Sequence, residues 1–183
     1  TAIDLHAGTY LVTVSDANNC TFIESITVLE PTELSATISF EHPNCFEAAD
    51  GSILVTTSGG TPNYNYQWSS SNLPDSPDVS GLEAGNYTLT ITDDNDCISI
   101  VSVLLENPDP VEVSLLETDA TCFGGANGSI AVDVLTGAIG TPVYNWDNGN
   151  MAAVNTNLSA ASYCVTVSDE NNCEAVACAE VSQ

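Results

Sequence analysis

One phrase of sequence recurs three times along this chain. Gly8-Thr9-Tyr10-Leu11-Val12-Thr13-Val14-Ser15-Asp16 returns as Gly85-Asn86-Tyr87-Thr88-Leu89-Thr90-Ile91-Thr92-Asp93, and again as Ser162-Tyr163-Cys164-Val165-Thr166-Val167-Ser168-Asp169. Each copy runs through a short polar turn into a cysteine. These are Cys20, Cys97 and Cys173, spaced by 77 and then 76 residues. A fixed period of that size means tandem domains, so whatever the chain does is done by an array. Residues 31–107 and 108–183 make two full copies, while residues 1–30 match only the end of one.

The phrase alternates. Tyr87, Leu89 and Ile91 point one way and Thr88, Thr90 and Thr92 the other, the pattern of a half-buried antiparallel strand. Tyr10, Val12 and Val14 match them, as do Tyr163, Val165 and Val167. The turns Ala17-Asn18-Asn19, Asp94-Asn95-Asp96 and Glu170-Asn171-Asn172 are rich in turn formers, and a second strand follows each, so every copy ends in a β-hairpin. Upstream in each full copy come Gly51-Ser52-Ile53 or Gly128-Ser129-Ile130, then a Gly-Thr-Pro turn (Gly60-Thr61-Pro62, Gly140-Thr141-Pro142). An aromatic strand follows, with Tyr64, Tyr66 and Trp68 in one copy and Tyr144 and Trp146 in the other. No helical period is present. Six or seven short strands in about 75 residues predict an all-β fold of tandem immunoglobulin-like β-sandwich domains. The connectors Leu29-Glu30-Pro31-Thr32 and Glu106-Asn107-Pro108-Asp109-Pro110 are short and carry proline, which predicts a rod of semi-rigidly linked domains.

The net charge of −25 comes from 25 Asp and Glu with no Lys or Arg at all. Such a surface cannot neutralise phosphates, which excludes nucleic acid as a partner, and anionic membranes should repel it. No run of about 20 apolar residues exists to insert in a bilayer. A chain without tryptic sites suits life outside the cell.

The string of a cysteine near the domain start, Gly-Ser-Ile, Gly-Gly-Thr-Pro-x-Tyr-x-Tyr-x-Trp, Leu-x-Ala-Gly-x-Tyr-x-Leu-Thr-Ile-Thr-Asp and a closing cysteine resembles the SprB-type repeat. It covers Cys45 to Leu105 well and Cys122 to Val181 with departures, among them Ala161-Ser162 where the family has Ala-Gly. Thr1 to Leu29 resembles only the last two strands. The SprB-type repeat builds long cell-surface adhesins of gliding bacteria. The resemblance implies an extracellular stalk or fibre whose partners are neighbouring repeats or copies of the chain.

The phased cysteines predict Cys45–Cys97 and Cys122–Cys173, each joining a domain's start to its final hairpin. Cys164 and Cys178 fall opposite one another on the outward face of the last hairpin, which predicts a cross-strand disulfide. Cys20 is left unpaired within the chain. The spacing of Cys164, Cys173 and Cys178 does not match zinc sites, and cysteine density in small domains reads as an oxidised framework. The hairpin of residues 1–30 is expected either to be donated to another molecule by strand addition or to belong to a longer tandem chain.

Catalytic constellations are missing: His6 and His42 stand alone, and the carboxylates sit in turns and links. The expectation is therefore no enzyme and no resident cofactor. Calcium is a weak alternative, with Asp93, Asp94, Asp96 and Asp109 as oxygen ligands. Asn86, Asn127 and Asn157 head Asn-x-Ser/Thr sequons and are glycosylation candidates. A second reading is a glycan- or calcium-dependent binding module using the loops of variable length, Ser69 to Asp78 and Trp146 to Asn155.

Overall fold

A computed structural model describes residues 1–183 apart from the side chain of Val134. The described residues contain fourteen strands and no helix. The fold is all-β and sandwich-like, as the alternating sequence predicts.

β1 (Gly8–Ser15) and β2 (Thr21–Val28) form a two-stranded antiparallel sheet in which Tyr10 faces Ile26 and Val14 faces Phe22. The second copy supplies β3 (Ser35–Glu41), β4 (Gly51–Ser58), β5 (Asn65–Trp68), β6 (Asp78–Leu82), β7 (Gly85–Thr92) and β8 (Ile98–Leu105). These make two three-stranded sheets, ordered β3-β4-β6 and β5-β7-β8. The third copy repeats the arrangement with β9 (Glu112–Thr118), β10 (Gly128–Thr136), β11 (Val143–Trp146), β12 (Val154–Leu158), β13 (Ala161–Ser168) and β14 (Glu174–Val181). Its sheets are ordered β12-β10-β9 and β11-β13-β14.

By internal contacts the chain divides into two compact units. One holds Thr1–Thr37, Val55–Ser76 and Thr88–Val101; the other holds Ile38–Leu54, Pro77–Tyr87 and Ser102–Gln183. The second unit therefore takes part of the second copy together with the whole third copy. Its core lies between the third copy's two sheets, where Ile130, Trp146, Leu158, Val165, Val167 and Val181 are buried and Tyr144, Tyr163 and Val132 pack against them. The strand alternation decides this. Val165 and Val167 point inward with no exposed surface, while Thr166 between them remains partly exposed. A bulge between Val132 and Val134 shifts the β9–β10 register by one residue there.

In the first unit, Leu89 and Ile91 of β7 are likewise fully buried. The matching residues of β1 are not: Val12 is 45% and Val14 59% exposed, and Phe22, opposite Val14 on β2, is 61% exposed. A lone two-stranded hairpin is marginal in water. The face that is core in the other copies is open in this one.

The recurring tyrosine has a structural reason. Its hydroxyl donates to the carbonyl four residues upstream in all three copies: Tyr10 to His6 (2.8 Å), Tyr87 to Glu83 (2.9 Å) and Tyr163 to Ser159 (3.1 Å). This is the corner that pins the entry of a sandwich strand. It survives the Ala161-Ser162 departure because the position does not need glycine. A Cβ at Gly85 would meet nothing closer than the Tyr87 ring at 3.8 Å.

Candidate functional site

The recurring aspartate builds the closing turn. Asp93 Oδ1 accepts from the backbone N–H of Asn95 (2.9 Å) and of Cys97 (2.8 Å), and Oδ2 accepts from Thr61 N–H (2.8 Å). Asp169 does the same for Asn171, Cys173 and Ile139, and Asp16 for Asn18 and Cys20. The residue before each cysteine, Asn19, Asp96 or Asn172, has φ of 62°, the left-handed region that Asn and Asp tolerate best. The cysteine is thereby presented at the same place on each hairpin tip. These amide donors hold the carboxyls of Asp93 and Asp169 below the usual aspartate range. The Asp93 charge in turn pushes the Cys97 thiol up.

A second recurring element is the opening loop between the first two strands of each copy. Asp50 accepts from Asn44 N–H (3.0 Å) and from Asn44 Nδ2 (2.7 Å), and Ala48 N–H closes a turn on the Cys45 carbonyl. In the third copy, Asn127 Oδ1 accepts from Thr121 N–H (3.1 Å), its Nδ2 donates to Thr121 Oγ1 (2.8 Å), and Gly125 N–H bonds the Cys122 carbonyl. Each loop displays a Cys-Phe pair, Cys45-Phe46 and Cys122-Phe123.

Within the second unit, an opening loop and a closing turn from different copies are joined. Cys45 is bonded to Cys173, with Cα atoms 5.4 Å apart and 128 residues of sequence between them. Cys173 Sγ lies 3.3 Å from the Asn44 carbonyl, and Cys45 Sγ lies 3.9 Å from that of Asn171. The bond borders a hollow lined by Phe46, the connector residues Pro110 and Val111, and Asn172 and Glu174.

This corrects the expected pairings Cys45–Cys97 and Cys122–Cys173; Cys97 and Cys122 are exposed free thiols, as is Cys20. The reason is the direction of the strands. The Cys122 loop lies against the far end of β14, where Ser182 N–H bonds Asp119 and Gly124 N–H bonds the Gln183 side chain. Cys173 precedes that strand, so eight residues at about 3.3 Å each, roughly 26 Å, separate the two. A disulfide tolerates about 7 Å between Cα atoms. β8 separates Cys97 from the Cys45 loop in the same way, since that loop meets the strand's far end through Glu106 N–H to His42 Nδ1 (2.9 Å) and Glu47 N–H to Asn107 Oδ1 (3.1 Å). Cys164 and Cys178 are direct cross-strand partners on β13 and β14 and are bonded to each other.

The remaining candidates are not assembled into a site. Both Asp93 oxygens are taken by amide donors, Asp94 and Asp96 are exposed on the turn, and among the described residues no three His, Cys, Asp or Glu groups are placed to hold a metal ion. The loop Trp146 to Asn155 spends its polar groups on itself. Trp146 Nε1 donates to the Ala152 carbonyl, and buried Asn155 exchanges hydrogen bonds with Asn148 and Asn150. In the other loop Trp68 Nε1 donates to the Ser76 carbonyl. Asn86 and Asn157 are exposed, whereas the Asn127 amide is engaged in its own loop.

Residues 37–73 and 117–151 match the family model of the SprB repeat. Two segments of the chain are thus similar to the SprB repeat. Each match begins in the first strand or at its end and runs through the opening-loop cysteine to the aromatic strand, so it takes in the opening loop. No curated protein matches the sequence. Among solved structures, the chain is similar to the N-terminal eight Ig domains of Down Syndrome Cell Adhesion Molecule (DSCAM) isoform 1.30.30. The identity is 15%, the TM-score 0.44, and the match covers 96% of this chain and 28% of that one.

Proposed function

We propose that the chain is a structural segment of an extracellular surface stalk or fibre, built from disulfide-stapled Ig-like SprB repeats and without catalytic activity. The observation that carries this reading is the bond from Cys45 to Cys173. A cystine inside one copy steadies that copy, whereas one that crosses the connector also ties two copies into a series. Oxidised cysteines persist outside the reducing cytosol. The absence of Lys and Arg removes every tryptic site, a further fit to an exposed location. Both histidines serve the fold, His6 through its carbonyl and His42 by accepting from Glu106.

In this reading residues 31–107 and 108–183 are the repeating domains, and 1–30 is the closing hairpin of another. The partners are neighbouring repeats or copies of the chain. The open apolar face of β1 supports the need for such a neighbour, because the equivalents of Val12 and Val14 are fully buried in both other copies. Electron microscopy of native material, together with labelling of intact cells by a membrane-impermeant thiol reagent after mild reduction, tests the proposal. Surface-labelled strings of repeats are expected. Dispersed 19.0 kDa particles in a cytosolic fraction, with all cysteines reduced, would overturn it.

A further inference from the structure

The junction between Cys45 and Cys173 has two halves, and the chain displays a spare of each. The plug half is the opening loop with its Cys-Phe pair. Phe46 borders the junction hollow and is 46% exposed, while Phe123, its counterpart, is 95% exposed beside the free thiol of Cys122. The two loops are built alike, each with a side chain at position 50 or 127 clamping the residue before the cysteine.

The socket half is the closing turn against a connector. At Cys173 the hollow is lined by Pro110, Val111 and Glu174. At Cys97 a hollow is lined by the corresponding Glu33, Leu34 and Ile98, together with Asp93 and Gly60. The correspondence is structural. Glu33 approaches Gly59 as closely as Pro110 approaches Gly137 in the third copy, and the same aspartate fixes both cysteines. Among the described residues, no opening loop lines the Cys97 hollow.

We propose that Cys122 with Phe123 is the plug, and the hollow at Cys97 the socket, of further cystine junctions made with other repeats of this type. The partner of Cys122 is a closing-turn cysteine held by an Asp-x-x-x-Cys turn. The partner of Cys97 is an opening-loop cysteine followed by an aromatic residue. One rule, opening loop of a repeat to closing turn of the next, then accounts for the bonded pair and for every free cysteine. Counted at the same separation of 128 residues, no partner of Cys20, Cys97 or Cys122 falls within residues 1–183. Because the proposal takes the neighbours to be repeats, it rests on the array reading above.

Closing each junction joins two thiols into one disulfide. Two electrons and two protons pass to a disulfide donor, either the oxidised dithiol of an oxidoreductase or a small-molecule disulfide, which leaves as two thiols. One thiolate attacks the donor to form a mixed disulfide, and the second displaces the donor's thiol.

The test is disulfide mapping of the protein isolated without reductant. Free thiols are alkylated in acid, and the chain is cut with pepsin, since trypsin has no site. Peptides carrying Cys122 should be found joined to a closing-turn peptide from another repeat, and Cys97 joined to a Cys-aromatic peptide, with neither alkylated. Full alkylation of both, or bonds from Cys97 to Cys45 and from Cys122 to Cys173, would overturn the proposal. The mass after reduction then separates the sources. A 19.0 kDa species means that a second copy supplies the partner thiol, and a much larger chain means that its own flanking repeats do. The outcomes are independent of the stalk reading: mapped junctions in material that forms no strings would retain the covalent series and reject the stalk, and strings with alkylated Cys97 and Cys122 would do the reverse.

Discussion

Replacing Gly128 by alanine should unsettle the third copy through a single methyl group. A Cβ at Gly128 would sit 2.5 Å from Val181 Cγ1 and 3.1 Å from both the Leu158 and Thr118 carbonyl oxygens. Ordinary contacts at this position would be 3.4–4 Å, so the valine methyl must retreat by about 1 Å in a core packed as densely as a crystal. It has little room to do so, because Val181 is 1% exposed and belongs to the core cluster. The two carbonyls are held by strand pairing, since Gly128 pairs with Leu158 on β12 and Ser129 with Thr118 on β9. Overpacking of this kind costs about 1–3 kcal/mol. With a urea dependence of about 1–3 kcal/mol per molar, the midpoint should fall by roughly 1 M. Trp146, 1% exposed, reports the transition by fluorescence when Trp68 is replaced by phenylalanine in both parent and variant. A midpoint unchanged within about 0.3 M, with an unchanged slope, would refute the packing argument. It would also remove the explanation for why both Gly-Ser-Ile strands begin with glycine, since a Cβ at Gly51 would likewise meet Leu82 O at 2.9 Å and Leu105 Cδ1 at 3.0 Å.

Two other outcomes are expected. Replacing both Cys45 and Cys173 by serine should cost about 5 kcal/mol on the chain-entropy scale for a loop near 130 residues, against about 3 kcal/mol for the 15-residue loop of Cys164–Cys178; urea unfolding of the two double variants measures the order, and a larger loss from the shorter loop would contradict it. Asp93 and Asp169 have carboxyls lowered from the usual value near 3.8, so the stability they contribute is present above that value and is lost as pH falls through their folded values. Thermal melts should accordingly be flat down to about pH 5 and fall below about pH 4, with Asp169→Asn showing a shallower acid limb than the parent.

What the sequence disclosed, and what it hid, follow from the range of the interactions involved. Alternation set the inward row Tyr163, Val165, Val167 and put Cys164 opposite Cys178, because both are properties of a single hairpin. The turn-forming role of the Asp-x-Asn run was also local and legible, though the use of Asp93 to fasten Thr61 was not. Periodicity alone pairs Cys45 wrongly, because it says which residues are equivalent but not at which end of a strand each lies. The signal was present: the opening-loop cysteine follows the first strand and the closing-turn cysteine precedes the last, so tracing strand directions places them at opposite ends. The recurrence of phenylalanine after Cys45 and Cys122 was a second clue, visible in the sequence and unexplained until the hollow at Pro110 and Val111 gave it a position.

The bond from Cys45 to Cys173 also determines how the chain carries force. Tension applied to the polypeptide on either side of the pair passes from residue 45 through sulfur to residue 173 and bypasses everything between. The connector, the aromatic strands and both glycine-led strands lie inside that shunt. At about 3.3–3.6 Å per extended residue, roughly 430 Å of chain is withheld from stretching. A pull can then peel β1 to β3 and the end of β14 beyond Cys178, which is itself bonded to Cys164, while the strands between remain shielded until the sulfur bridges are reduced. Redox conditions, rather than sandwich stability alone, thereby set how far such a strand can extend.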